Sequence, residues 1–329
     1  MDSQYKLVRK KVSKRVDVQV DSVTTVDPQN REVRTESGMS YHYDYLVIAS
    51  GARYVPDKVD GYAEAAHHFH NGPATLKLRE ELKNFEGGNI VMGIADLPFK
   101  CPVSPLEFVF MAHHYFKKRK MLDKVKIHLT SPLPRAFSIE KVSNKVQKMF
   151  DKMGVEVHTF FNTEEIYPEE KYVESMEGDE LNYDLLVMVP PHMGQQFVID
   201  SGLAEDSDGW LPVDRETLQH DKYPNIYGVG DCTNLPVSKA GAAAHHQAKK
   251  LAVNIANLTK GKAAKKKYGG EVQCFLMTGL NQSLFLDFSY KHPPRSLFLV
   301  NFWPIKKFWY VAKKLFKPIH FTLVLKGRI

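Results

Sequence analysis

Two short runs hold residues suited to gripping a bound cofactor. The first, Tyr43-Asp44-Tyr45-Leu46-Val47-Ile48-Ala49-Ser50-Gly51-Ala52, is an apolar strand that ends in small residues. The second, Asn225-Ile226-Tyr227-Gly228-Val229-Gly230-Asp231-Cys232, repeats that design and closes on an acid. Glycine at a strand end lets the backbone approach a bound group closely. An aspartate just past a strand, at the crevice of an α/β sheet, accepts hydrogen bonds from ribose or ribityl hydroxyls. A thiol with a carboxylate six residues on, Cys101 and Glu107, is a third feature. Cys232 and Cys274 complete the thiols, and three cysteines cannot build a disulfide framework.

The elements around these residues alternate. Residues 16–26, 31–35 and 44–49 read as strands, 72–85 as a polar helix closed by Gly87-Gly88, and 90–94 as a buried strand. Residues 106–115 have helical spacing and a basic end at 117–120. Strand 126–130, helix 139–152, Gly154 as its C-terminal stop and strand 155–161 follow. Strand 185–189 ends at Pro190-Pro191, strand 224–229 runs into Gly230-Asp231, and 240–258 is a long Ala-rich helix. Residues 260–267 form a basic linker. Alternating strands and helices with short connections predict parallel α/β sheets.

Together, about 180 residues apart, the two strand motifs closely resemble the flavoproteins with two dinucleotide-binding domains. There the first motif reads Tyr-Asp-x-Leu-apolar-apolar-Ala-Thr/Ser-Gly and the second Gly-Asp. The cysteine segments, Phe99-Lys100-Cys101-Pro102-Val103-Ser104-Pro105-Leu106-Glu107-Phe108 and Val272-Gln273-Cys274-Phe275-Leu276-Met277-Thr278-Gly279, narrow the likeness. They resemble sulfide:quinone oxidoreductase and the flavocytochrome c sulfide dehydrogenase flavoprotein. The resemblance implies an α/β fold of two Rossmann-like domains, the FAD/NAD(P)-binding type. It divides the chain into residues 1–86 and 195–267 for the FAD domain, 87–194 for the second Rossmann-like domain and 268–329 for a redox and anchoring region.

The implied chemistry is FAD-dependent oxidation of sulfide to sulfane sulfur, with electrons passed to a membrane quinone. Cys101 and Cys274 would hold the sulfur, and Glu107 would take a proton from the incoming sulfide. Ala49, Ser50, Gly51, Gly230, Asp231, Lys239, Ala240 and Gly241 would line the flavin, with the helix after Lys239 presenting its positive end. Cys232 reads as a buried small residue. The histidine doublets 67–68, 113–114 and 245–246 point apart on a helix, so no metal is expected.

The family opens with a strand, a Gly-x-Gly-x-x-Gly turn and a helix that hold the flavin pyrophosphate. The chain begins about 70–80 residues into that pattern, so the first domain is expected to be incomplete. Two rivals follow. A type II NADH:quinone oxidoreductase would need a nicotinamide fingerprint after residues 90–94, where none stands. An inactive, membrane-binding remnant is the other.

The charge of +7 sits at one end. After Asp287 there are nine basic residues and no acidic one, which leaves residues 1–287 with 36 basic and 38 acidic groups. A nucleic-acid binder would spread its basic residues over the body. The uncharged apolar run 296–305 is ten residues, against the ~20 that span a bilayer. Residues 304–317, wound as a helix, put Ile305, Phe308, Trp309, Val311, Ala312, Leu315 and Phe316 on one face. Lys306, Lys307, Tyr310, Lys313, Lys314 and Lys317 fill the other, and Pro318 is expected to end the helix. This C-terminal amphipathic region predicts a peripheral, monotopic protein on an anionic, cytoplasmic membrane face. Phe298, Phe302 and Trp303 would then line a quinone pocket. A homo-oligomer is compatible with this reading.

Overall fold

The computed structural model describes residues 16–292 and 307–323. Its centre is a four-stranded parallel sheet of β6 (Gly88–Ile94), β7 (Val125–Ser131), β8 (Glu156–Thr159) and β12 (Leu185–Val189), in the order β12-β6-β7-β8. β6 and β12 are continuous apolar runs because both faces of the sheet are covered. On one face lie α3 (Ser104–Lys118) and α4 (Glu140–Met153), which bury Phe110, Phe116, Val142 and Phe150. The other face packs Val59, Tyr62, Ile166 and Val173. Part of this second cover is an antiparallel sheet of β9 (Thr163–Tyr167), β10 (Tyr172–Ser175) and β11 (Glu180–Asn182). A Cβ on Gly93 would meet Met188 Cε at 2.5 Å, so that glycine exists for close strand packing rather than for a phosphate turn.

The two cofactor motifs become neighbours. β4 (Leu46–Ile48) runs parallel to β14 (Ile226–Gly228), with Leu46 opposite Ile226 and Ile48 opposite Gly228. Ile48 and Ile226 share an apolar cluster with Leu211, Leu251 and Tyr268. Leu251 comes from α6 (Gly241–Leu258). β1 (Val23–Asp27), β2 (Glu32–Thr35) and β3 (Ser40–His42) form an antiparallel sheet, and Val26 joins the same cluster. β5 (Arg53–Tyr54) pairs with β13 (His192–Met193). α1 (Tyr62–Ala65), α2 (Gly72–Asn84) and α5 (Gln196–Asp200) fill the connections.

The C-terminal part is a hairpin, β15 (Val272–Gly279) with β16 (Gln282–Phe288), covered by α7 (Lys307–Thr322). Leu276, Leu284 and Leu286 join the cluster on the α3–α4 face of the parallel sheet, and Cys274 packs against it.

Three expectations are corrected here. Residues 16–22 are not strand, because β propensity without a neighbouring strand leaves Val16 and Val20 exposed. Pro318 does not end the last helix but lies inside it. The turn beyond it closes on its own bonds, Leu323 N–H to Ile319 O at 2.8 Å and Thr322 Oγ1 to Pro318 O at 2.6 Å. The lysines of that helix do not all face away from the protein either. Lys313 Nζ donates to Glu107 Oε1 at 2.6 Å, and Trp309 is buried with its ring stacked 5.2 Å from that of Phe285.

Candidate active site

Parallel pairing of β4 and β14 brings the tails of both strands to one sheet end. Val229 N–H donates to Ile48 O at 2.9 Å, so Ala49, Ser50 and Gly51 leave the sheet beside Gly230 and Asp231. Gly51 (φ 68°) and Gly230 (φ 80°) both turn in the left-handed region. Gly230 N–H is held by Gln247 Oε1 of α6 at 2.7 Å, which fixes the helix against the turn. Cys232 is fully buried, its Sγ 3.3 Å from both Ile48 O and Val229 O, and serves as part of the core.

Lys239 is buried rather than solvated. Its ammonium donates to Asp231 O at 2.9 Å and Thr233 O at 2.8 Å, and lies 3.7 Å from the Trp210 ring centroid. Burial lowers its pKa to about 8, against the opposing pull of Asp231 and Cys232. Burial likewise raises the Asp231 carboxyl above the usual carboxylate range, and Lys239 and Lys100 draw it back.

These surroundings fit a flavin dinucleotide. A Cβ built on Gly51 or Gly241 would meet no atom within 4 Å, so both glycines border open space. No side chain caps α6, which begins at Gly241 after Ala240. Its first backbone N–H groups therefore stay available to an anionic group. The desolvated Asp231 stands ready for hydroxyl donors.

The Cys101 loop is tied to this cradle. Cys101 N–H donates to Lys239 O at 2.7 Å, and Ser104 N–H donates to Cys101 O at 2.8 Å. Both bonds hold Cys101 at φ 59°, a conformation that costs a non-glycine residue about 1–2 kcal/mol. Such strain is kept where the surrounding structure fixes it, and here it sets the direction of an exposed thiol.

From the other side comes Cys274 on β15. Its pKa is pushed up to about 12, chiefly by desolvation and then by Cys101 and Glu107. That of Cys101 is pushed up to about 11, again by desolvation first and by Glu107 second. The thiol is open to solvent on one side while protein surrounds it on the others. Each thiol therefore feels Glu107, and Cys274 feels Cys101: the structure brings the three residues singled out by sequence into one neighbourhood.

Glu107 has structural partners that spacing could not disclose. Its Oε1 accepts from Met277 N–H at 2.7 Å and from Lys313 at 2.6 Å, joining α3 to β15 and α7. Lys313 is the residue that sequence reasoning missed, since it read only as one lysine of a cationic face. Its ammonium lowers both thiol pKa values, opposing Glu107. Phe298, Phe302 and Trp303 lie outside the described residues.

A cavity of about 660 Å³ opens next to the Cys101 loop, walled by Phe99, Pro102, Phe137, Lys239, Phe288 and Tyr290. It also touches Ile94, the last residue of β6, and Leu133, just past the end of β7, on the side where open α/β sheets bind ligands. The segment leaving β6 is Ala95-Asp96-Leu97-Pro98, not a glycine turn for a nicotinamide pyrophosphate.

The raised thiol values give a direct expectation. Alkylation of reduced Cys101 by iodoacetamide should be slow at neutral pH despite exposure, because the thiolate is the nucleophile. Its rate should climb about tenfold per pH unit toward pH 11, the value to which its pKa is raised. A rate that levels off by about pH 8 would contradict the desolvated setting.

Comparison with known proteins gives concordant matches. The pyridine nucleotide-disulphide oxidoreductase family matches residues 3–252. Mitochondrial sulfide:quinone oxidoreductase of Mus musculus is 30% identical over 319 residues, covering 93% of this chain and 71% of that protein. The sulfide:quinone oxidoreductase structure from Aquifex aeolicus has the same fold, with a TM-score of 0.82 at 24% identity over 94% of this chain and 75% of that one. A chain in the Tetrahymena thermophila mitochondrial ATP synthase structure shares it too, with a TM-score of 0.80 at 21% identity over 98% and 82% of the two chains.

Proposed function

The chain belongs to the sulfide:quinone oxidoreductase family of the pyridine nucleotide-disulphide oxidoreductases, and on that footing we propose that it oxidises sulfide and delivers the electrons to a membrane quinone. The observation that carries this reading is the convergence of Cys101, Cys274 and Glu107 beside the Asp231–Lys239 cradle.

The proposed cycle starts from the oxidised pair, a Cys101–Cys274 disulfide, whose two thiols are free in this structure. Hydrosulfide attacks one sulfur of the Cys101–Cys274 bridge. A new S–S bond forms to the incoming sulfur, the bridge breaks, and the other cysteine leaves as a thiolate. Lys313 favours that thiolate, being the positive charge common to both sulfurs. Glu107, held by Met277 and Lys313, would take the proton of the new persulfide. The persulfide and thiolate then close around the added sulfur as two electrons leave. Bound FAD supplies the two-electron acceptor for that closure.

Asp231 would hold the ribityl or ribose hydroxyls, Ala49 to Gly51 and Gly230 would let the backbone approach, and Ala240 and Gly241 would place the α6 amide groups toward the ring. Lys239 secures the turn that holds Asp231 and adds positive charge below it. Sulfide would enter through the cavity bordered by Phe99 and Pro102.

Membrane attachment is assigned to α7. With Trp309 and Lys313 turned inward, Phe308, Val311, Leu315, Phe316 and Ile319 remain exposed. At 100° per residue they span an arc of about 140°, edged on one side by Lys307 and Lys314. An exposed apolar stripe edged by lysines suits the interface of an anionic bilayer. No helix among the described residues is long and apolar enough to cross one.

The test uses FAD-loaded protein with anionic vesicles that contain quinone. The intact protein should sediment with the vesicles and reduce their quinone when sulfide is added. A Val311→Asp/Leu315→Asp variant should keep sulfide-dependent flavin reduction but lose vesicle binding and at least about tenfold of quinone reduction. Equal vesicle binding by both proteins would remove α7 as the anchor. Flavin reduction without quinone reduction in the intact protein would remove quinone as the acceptor.

A further inference from the structure

On the far side of the parallel sheet from the redox cysteines, β7 and β8 bring together two imidazoles and a carboxylate. Their register sets His128 opposite Glu156 and Thr130 opposite His158. Glu156 and His158, two apart on β8, share one face, while Val157 between them packs into the α3–α4 side. His128 Nδ1 is 3.1 Å from His158 Nε2 and 3.4 Å from Glu156 Oε2, and all three ligand atoms lie within 4.8 Å of one another. The geometry points to a divalent-cation site, of zinc class, formed by His128, Glu156 and His158.

Four ligands around a tetrahedral zinc at ~2.0–2.1 Å stand about 3.3–3.4 Å apart, so the two shorter separations need little adjustment. Two histidines and one glutamate are a donor set zinc accepts with a fourth position open. His128 is buried, and its Nδ1 is turned toward both His158 Nε2 and Glu156 Oε2, so the three ligand atoms already face one another. The Glu156 side chain, 58% exposed, supplies the route of entry.

The surrounding charges leave the ligands ready. Desolvation favours the neutral rings that bind a metal, and the proton bridging His128 Nδ1 and His158 Nε2 must move off that pair as the ion enters. Glu156 and Asp179 add negative charge at His158, while Lys126 on β7 opposes a cation at His128. A bound ion would clip the edge strand β8 onto β7 at a point 30 residues along the chain. That spacing and the strand pairing explain why local motifs do not reveal the site.

The experiment is equilibrium dialysis of the full, FAD-loaded chain against buffered Zn²⁺, with metal content measured, followed by Co²⁺ replacement read by absorption. The intact protein should hold one zinc per chain, raise its unfolding temperature with the metal, and give a tetrahedral cobalt spectrum. His158→Gln and Glu156→Gln, both on the less buried strand, should each weaken binding by at least about tenfold while unfolding at the metal-free temperature. Zinc content unchanged in His158→Gln would overturn the assignment. A thiolate-to-cobalt charge-transfer band would do the same, by placing the metal on the cysteines.

Discussion

Serine at position 101 or at position 274 is expected to abolish sulfide-dependent flavin reduction, with a rate loss of roughly 10³-fold or more for either change. Two sulfurs are needed because one must receive the incoming sulfur while the other leaves. A hydroxyl can do neither. Cys101→Ser and Cys274→Ser should also lose nearly the same amount singly as together, since residues that act as a unit are not additive. Cys232→Ser is the control: its Sγ is fully buried against Ile48 O and Val229 O, so any effect falls on stability. The rates come from stopped-flow recording of the flavin absorption under anaerobic sulfide. Near wild-type reduction in either Cys101→Ser or Cys274→Ser would rule out the paired-sulfur step.

Asp231→Ala should weaken FAD binding roughly 10- to 100-fold, the worth of a charge-assisted hydrogen bond at about 1.5–3 kcal/mol. Asp231 is desolvated and its pKa is raised, so a partner hydroxyl gains more there than it would in water. Asp231→Asn, which keeps the acceptor oxygen and drops the charge, should fall between the two. Flavin fluorescence during titration of protein stripped of FAD measures all three. A dissociation constant unchanged in Asp231→Ala would take this carboxylate out of the cofactor site.

Much of this site is legible because its parts are local. A strand that ends in Ala49-Ser50-Gly51 and another that ends in Gly230-Asp231 announce themselves by apolar runs followed by small residues, and β4 does pair with β14. Cys101 stands three residues before α3 and Glu107 lies in its first turn, and helix 139–152 appears as α4 with Gly154 as its left-handed stop.

What stayed hidden depends on tertiary contact. Glu107 and Lys313 are 206 residues apart, and nothing in the lysine pattern of the tail marks one lysine as turned inward. Helical periodicity placed Trp309 on a lipid-facing stripe, whereas the ring of Phe285 on β16 offered a nearer apolar surface. The burial of Lys239 was not legible because it depends on the Trp210 ring and on a turn that folds the carbonyls of Asp231 and Thr233 back onto the ammonium. The strands β9, β10 and β11 escaped notice because they are short and carry many acids, a weak β signal.

One claim underlies the rest: Cys101 and Cys274 hold a sulfur atom between them. The most direct measurement is mass spectrometry of peptides from FAD-loaded protein treated anaerobically with one equivalent of sulfide and digested without reductant. The expected product is the Cys101 peptide joined to the Cys274 peptide with the mass of one extra sulfur, absent when either cysteine is serine. Recovery of both peptides separate and without added sulfur, from protein whose flavin has been reduced by that sulfide, would contradict the account.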